Sequence, residues 1–226
     1  MINLSIKTKM AIAVTTTVIS STFLGATSVQ AATFTYNLIN SSNLNLNSVT
    51  LPPISGAPSL TLTASKTNNN NNTTTIANVA VRSNGTGVQG NPAGVNIGRS
   101  NTVTEKLTLT FSENVILNNA VFARAGNNGN LDTNDGFGIM DNNGNPLLSV
   151  PTLNQNNLYN LAPSSIQGSV FSFFAPQNND TYLLRSITVE TIETMATVPE
   201  SSPLVALLGL GGLGVILNRN HKKNYL

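Results

Sequence analysis

The chain has 226 residues, no cysteine and a single histidine, His221, near the carboxyl end. This excludes a disulfide framework, a thiol nucleophile and thiolate metal sites anywhere, and Ser-His-Asp, Cys-His or His-ligated metal chemistry in the body. The formal net charge of +2 comes from the ends: from Ala32 to Val198, Lys66, Arg82, Arg99, Lys106, Arg124 and Arg185 face Glu105, Glu113, Asp132, Asp135, Asp141, Asp180, Glu190 and Glu193, a net of −2 that leaves nucleic-acid binding without electrostatic support.

At the amino end, Lys7 and Lys9 precede the apolar stretch MAIAVTTTVISSTFLG, and Val29-Gln30-Ala31 closes it with a small-x-small site. That layout predicts a secretory signal peptide over residues 1–31, cut after Ala31. As an uncleaved membrane helix the stretch is short and rich in Thr and Ser.

Residues 32–195 are asparagine-rich, free of Trp and patterned with period 2. Phe34, Tyr36 and Leu38 alternate in TFTYNL, Leu60 and Leu62 in SLTLTA, and Ile76, Val79 and Val81 in IANVAV with an irregularity. The run KTNNNNNTTT, Lys66 to Thr75, has no apolar periodicity and reads as an exposed loop or insertion. EKLTLTF is the clearest strand, with Leu107, Leu109 and Phe111 on one face and Lys106, Thr108 and Thr110 on the other. VILNNAVFARA carries two strand pieces around Asn118-Asn119, and RSITVETI places Ile187 and Val189 inward with Ser186, Thr188 and Glu190 outward. Short strands between Asn, Gly and Pro turns predict an all-β ectodomain, an antiparallel β-sandwich of jelly-roll type, with Leu107, Leu109, Phe111, Phe122, Ile187 and Val189 in its core.

The loop AGNNGNLDTNDGFGIMDNNGNP offers hard oxygen ligands of the kind Ca²⁺ takes: Asn130, Asp132, Asn134, Asp135 and Asp141. Asn130, Asp132 and Asn134 fall at i, i+2 and i+4, but Gly136 comes one place late and no Glu closes the loop, so it is not an EF-hand. Asn128-Gly129 and Asn143-Gly144 read better as hairpin turns with solvated acids, and no cofactor is expected. Glu105 and Glu113 bracket one strand, which sets them roughly 26 Å apart, beyond the about 5–9.5 Å of a glycosidase pair. Tyr159 and Tyr182 are candidates for stacking on sugars, although buried or edge tyrosines are commoner. Sequons such as those at Asn40, Asn84 and Asn179 fit a surface protein, and also arise by chance in so asparagine-rich a chain.

The segment 196–226 has three parts. Val198, Pro199, Glu200 and Ser201 form an extended, proline-flanked motif. Leu204 to Leu217 are all apolar or glycine, including Leu204, Leu207, Leu208, Leu210, Leu213, Val215, Ile216 and Leu217. As a helix they extend roughly 21 Å against a hydrocarbon core of ~30 Å, a weak transmembrane helix that spans only with help. Arg219, Lys222 and Lys223 supply that help by snorkelling, and the positive-inside rule keeps this basic stop in the cytoplasm.

A proline-glutamate motif, a short glycine-rich hydrophobic helix and a basic tail, in this order, resemble the PEP-CTERM sorting signal of bacterial surface proteins. The family's Pro-Glu-Pro falls on Pro199, Glu200 and Ser201, so the second proline is absent here. The resemblance implies a membrane-embedded, transpeptidase-like exosortase as processing partner, removal of the helix, and release or attachment at the cell surface. The low-charge, asparagine-rich body is similar to secreted surface proteins of cyanobacteria that carry this tail, and its strand pattern to β-sandwich ectodomains found beside it. The expected function is that of an exported, non-enzymatic cell-envelope or extracellular-matrix protein among polysaccharide. The alternatives are a glycan- or Ca²⁺-binding surface module and a hydrolase working with carboxylates alone.

Overall fold

The computed structural model describes residues 31–51, 55–90, 95–124, 134–153 and 157–192, together with a two-residue strand at Thr16–Thr17. Asn130, Asp132, most of the signal peptide and the whole sorting segment lie outside the described residues; that segment includes Val198 to Ser201, Leu204 to Leu217, Arg219, Lys222 and Lys223. The chain divides into two units, and every described residue belongs to the one made of Met1–Ile19 and Ala31–Ile192.

The described residues are all-β. The strands are β1 (Thr16–Thr17), β2 (Thr33–Asn37), β3 (Leu44–Leu46), β4 (Ser48–Leu51), β5 (Leu60–Asn68), β6 (Thr73–Ala77), β7 (Val79–Val81) and β8 (Thr86–Gln89). They continue as β9 (Val95–Gly98), β10 (Val103–Arg124), β11 (Phe137–Met140), β12 (Pro146–Val150), β13 (Leu158–Asn160), β14 (Gln167–Phe174) and β15 (Thr181–Thr191). A single 3₁₀ turn, Ala162–Ser164, is the only helical piece among them. The strands form one hydrogen-bonded network in which every named pairing is antiparallel, as short hairpin connections require.

The long strand β10 organises this network. Its first part, Val103 to Phe111, pairs with β5, and Lys106 to Thr110 pair with β14. Its second part, Val115 to Arg124, pairs with β15, and Asn119 to Val121 pair with β13. Between the parts lie Ser112, Glu113 and Asn114, all exposed, where the inward-outward alternation lapses and the register with β14 shifts. EKLTLTF and VILNNAVFAR are thus one continuous strand, and the expected break at Asn118-Asn119 is a bulge, with register skipping between Leu117 and Asn119.

Rings from both sets of neighbours meet inside. Phe122 lies 4.6 Å from Phe137 and 5.3 Å from Tyr182, and Tyr36 of β2 lies 5.7 Å from Phe111. The six expected core residues Leu107, Leu109, Phe111, Phe122, Ile187 and Val189 are all buried, each side chain adding about 1.5–3 kcal/mol of apolar transfer.

Three local expectations fail. Lys66 to Thr75 is no loop: β5 and β6 pair from Ala64↔Ala77 to Asn68↔Thr73, leaving only Asn69 to Asn72 as a turn. Threonine favours strands despite its polarity. The turn is held by the Asn68 and Asn71 side chains, which accept N–H bonds from Asn70 and Thr73 at 2.9 and 3.2 Å, and by Asn72 at φ 53°. Ile76 is 86 % exposed rather than inward, because β6 is an edge strand paired only with β5, and Asn78 separates it from buried β7. Ser186, expected outward, is buried between its partners Val121 and Asn37 on adjacent strands.

Candidate functional site

Three asparagine-bearing turns meet at one end of the strand network. The turn from β9 to β10 is closed by Ser100 N–H donating to Val103 O at 2.8 Å and by an isolated bridge from Arg99 to Thr104. Asn69, at the tip of the β5–β6 hairpin, locks onto it: its N–H donates to Thr102 O, its amide to Ser100 O, and its Oδ1 accepts from Thr104 Oγ1 at 2.9 Å. From the β14–β15 turn, Asn179 N–H donates to Arg99 O at 2.8 Å and Asn178 Nδ2 to Asn101 Oδ1 at 2.6 Å. A cavity of about 640 Å³ opens among them, lined by Lys66, Gly90, Asn96, Gly98, Arg99, Ser100, Thr102, Val103, Glu105, Asn179 and Thr181.

Its charged groups come from alternation and register. Glu105 sits at the inward parity of Leu107, Leu109 and Phe111 and is buried, and Lys66 faces it directly across the β5–β10 ladder. Lys66 Nζ stands 3.6 Å from Glu105 Oε1, and Gly98 N–H donates to Glu105 Oε2 at 3.2 Å. Burial raises the Glu105 carboxyl above the ordinary range; the Lys66 charge and the Gly98 N–H oppose that rise without cancelling it. Arg99 donates through Nη1 to Pro176 O at 2.8 Å, while its buried Nε meets no acceptor among the described residues.

Behind the cavity, Asp135 and Asp180 are both buried, and neither lines it. Asp135 Oδ1 accepts from Thr181 N–H at 3.1 Å and Asp180 Oδ2 from Gln177 N–H at 3.0 Å. Burial raises the Asp180 carboxyl, the Asp135 charge raises it further, and backbone donors and Arg99 hold it back.

Asp135 and Asp141 stand at opposite ends of β11, and Asn134 is exposed. Asp141 holds the β11–β12 turn, where Oδ1 accepts from Asn143 and Asn145 N–H at 2.8 Å and Oδ2 from Asn145 Nδ2 at 2.9 Å. Asn143-Gly144 forms this turn, with Gly144 at φ 82°. Among the described residues, no group of three His, Cys, Asp or Glu is placed to hold a metal ion, and no helix is long and apolar enough to cross a membrane. Tyr182 is fully buried, its hydroxyl donating to Phe174 O at 2.9 Å, so no sugar reaches it. Tyr159 is half-buried with its ring against Phe137 at 5.0 Å. Glu113 is exposed, far along β10 from Glu105.

No family model, no curated protein and no solved structure matches this chain. The cavity therefore rests on its own chemistry: two cations, one buried carboxylate and a rim of amides and hydroxyls, with no aromatic platform. Sequence reasoning did not single out Lys66, Arg99 or Asn179 as neighbours of Glu105. The signal that was available is parity, since a carboxylate two residues before Leu107 on an alternating strand must face inward and needs a partner.

Proposed function

We propose that the protein is an exported, non-enzymatic component of the cell envelope or extracellular matrix, delivered by a PEP-CTERM-type signal. Its body is read as a jelly-roll-like β-sandwich, the two parts of β10 each contributing to one layer, and the Phe122–Phe137 and Tyr36–Phe111 contacts bridging them.

One observation carries the reading. Among the described residues of the body the first strand starts at Thr33 and the last stops at Thr191, inside the two expected processing points, and these two strands are tied together. Thr191 N–H donates to Ala32 O at 3.0 Å, and Ala32 N–H donates to Thr191 Oγ1 at 3.1 Å. A cut after Ala31 and another near Glu200 would leave every strand from β2 to β15 in place, whereas the β1–β2 pairing would go with the signal peptide. The partners implied are an exosortase-like enzyme acting at Val198, Pro199, Glu200 and Ser201, the membrane through Leu204 to Leu217, and polysaccharide outside the cell. The short helix and the Arg219, Lys222 and Lys223 stop then halt translocation long enough for processing. Pro199→Ala with Glu200→Ala should accumulate a larger, membrane-bound form in the producing cells. Unchanged size and fractionation of that variant would overturn the sorting reading.

A further inference from the structure

We propose that the cavity among the β5–β6 hairpin, the β9–β10 turn and the β14–β15 turn binds an acidic saccharide residue: a sugar carboxylate against Arg99 and sugar hydroxyls against Glu105, Asn96, Asn179 and Thr181. The inference is independent of how the chain is exported.

Size comes first. A cavity of about 640 Å³ lies within the roughly 300–1,000 Å³ of small-molecule sites and is far larger than a bare carboxylate needs. Charge comes second. Lys66 is paired with Glu105, which leaves Arg99 as the lining cation for a single negative charge. The buried carboxylates of Glu105 and, just behind, Asp180 disfavour a phosphate dianion.

The guanidinium supplies direction. Pro176 O occupies Nη1 of Arg99, which leaves the Nε edge of the fork, the edge suited to gripping a carboxylate through paired N–H bonds. A buried N–H without an acceptor is rare in a folded protein; the Nε is closed to solvent, so a ligand oxygen reaches it only when the Arg99 side chain shifts toward the cavity. The turn bonds from Asn179 N–H to Arg99 O and from Arg99 N–H to Asp180 O fix the backbone that carries this side chain. The amide and hydroxyl side chains around it are two-way hydrogen-bonding groups, matched to a polyol. Since no aromatic ring among the described residues lines the cavity, a neutral sugar finds no stacking surface there, and recognition rests on the acid group.

Titration calorimetry on the full chain decides the matter, with three probes: a glucuronic acid tetrasaccharide, a neutral glucose tetrasaccharide, and acetate. The glucuronate probe should bind. Arg99→Ala should weaken it at least tenfold, and Arg99→Lys, which keeps the charge but loses the fork, should weaken it too, while Thr110→Ala on the outer face of β10 leaves it unchanged. Circular dichroism confirms that each variant folds, and Arg99→Lys carries the test if Arg99→Ala does not. Equal binding of the neutral sugar, equal binding of acetate, no binding of glucuronate, or indifference to both Arg99 substitutions would each overturn the proposal.

Discussion

The cavity end and the β11–β12 turn each hold a carboxylate among asparagines, and the fold treats the two in opposite ways. Asp141 is solvated and collects N–H donors from Asn143, Asn145 and Gly144; these bonds, the Asn145 side chain first, hold its carboxyl below the ordinary range. Glu105 is taken out of water onto the inward face of β10 and given one cation and one backbone donor, and burial still wins. An acid in an exposed turn stabilises the backbone around it. An acid on a buried face costs stability unless its partners make up for the lost hydration.

The largest expected effect comes from placing a carboxylate on that same inward face without a partner. Leu109→Asp, at the next inward position after Leu107, would meet only the apolar core and should cost about 3–5 kcal/mol at neutral pH, read by urea denaturation. Unchanged stability would show that this face is open to water.

Removing only the cation should cost less. Lys66→Met leaves Glu105 with its Gly98 donor alone and should lose about 1–2 kcal/mol at neutral pH, less than for a fully buried pair because the lysine side chain keeps 23 % of its exposure. The sign of the pH dependence follows from the raised carboxyl. The folded state binds the proton more tightly than the unfolded chain, so stability grows as pH falls from neutral through the folded value of Glu105 toward its unfolded one. Asp180 acts in the same direction. The loss in Lys66→Met should therefore shrink on acidification, and Glu105→Gln should flatten the profile. A Lys66→Met deficit that widens at acid pH would contradict the burial argument.

Much of the strand pattern was legible because alternation is a local property. Phe34, Tyr36 and Leu38, or Leu107, Leu109 and Phe111, declare a buried face within a few residues of chain. The hairpin at Lys66 to Thr75 was hidden because threonines and asparagines carry no apolar period, although they suit an exposed edge strand and its turn. Ile76 misled in the opposite sense, an apolar residue grouped with Val79 and Val81 across an irregularity, whose strand ends before them. The union of two apparent strands into β10 could not be read across the polar Ser112-Glu113-Asn114 step. The cavity was less legible still. Arg99 is joined to Pro176 and Asn179 far along the chain, and the chain itself says nothing of such convergence, although the parity of Glu105 and Lys66 marked one wall of it.

At the exposed turn the effects should be small and of the opposite sign with pH. Asp141→Ala should lower the melting temperature slightly and speed amide exchange at Asn143 and Asn145. Because the Asp141 carboxyl is depressed when folded, that contribution is present above the ordinary carboxyl range and lost as pH falls through the folded value. Slow exchange at Asn145 in the variant would show that the backbone holds this turn unaided.

Millimolar Ca²⁺ is expected to leave the melting temperature where it is, since Asp135 and Asp141 are separated by β11 and already hold backbone donors. A rise that disappears on changing Asp132 and Asp135 to asparagine would establish a calcium site.

The export reading is tested most directly by intact-mass spectrometry of the protein recovered from the surface of the cells that make it. A species beginning at Ala32 and ending near Glu200 is the expected result. A mass that includes Tyr225 and Leu226 would contradict processing and leave a chain held by its own C-terminal segment.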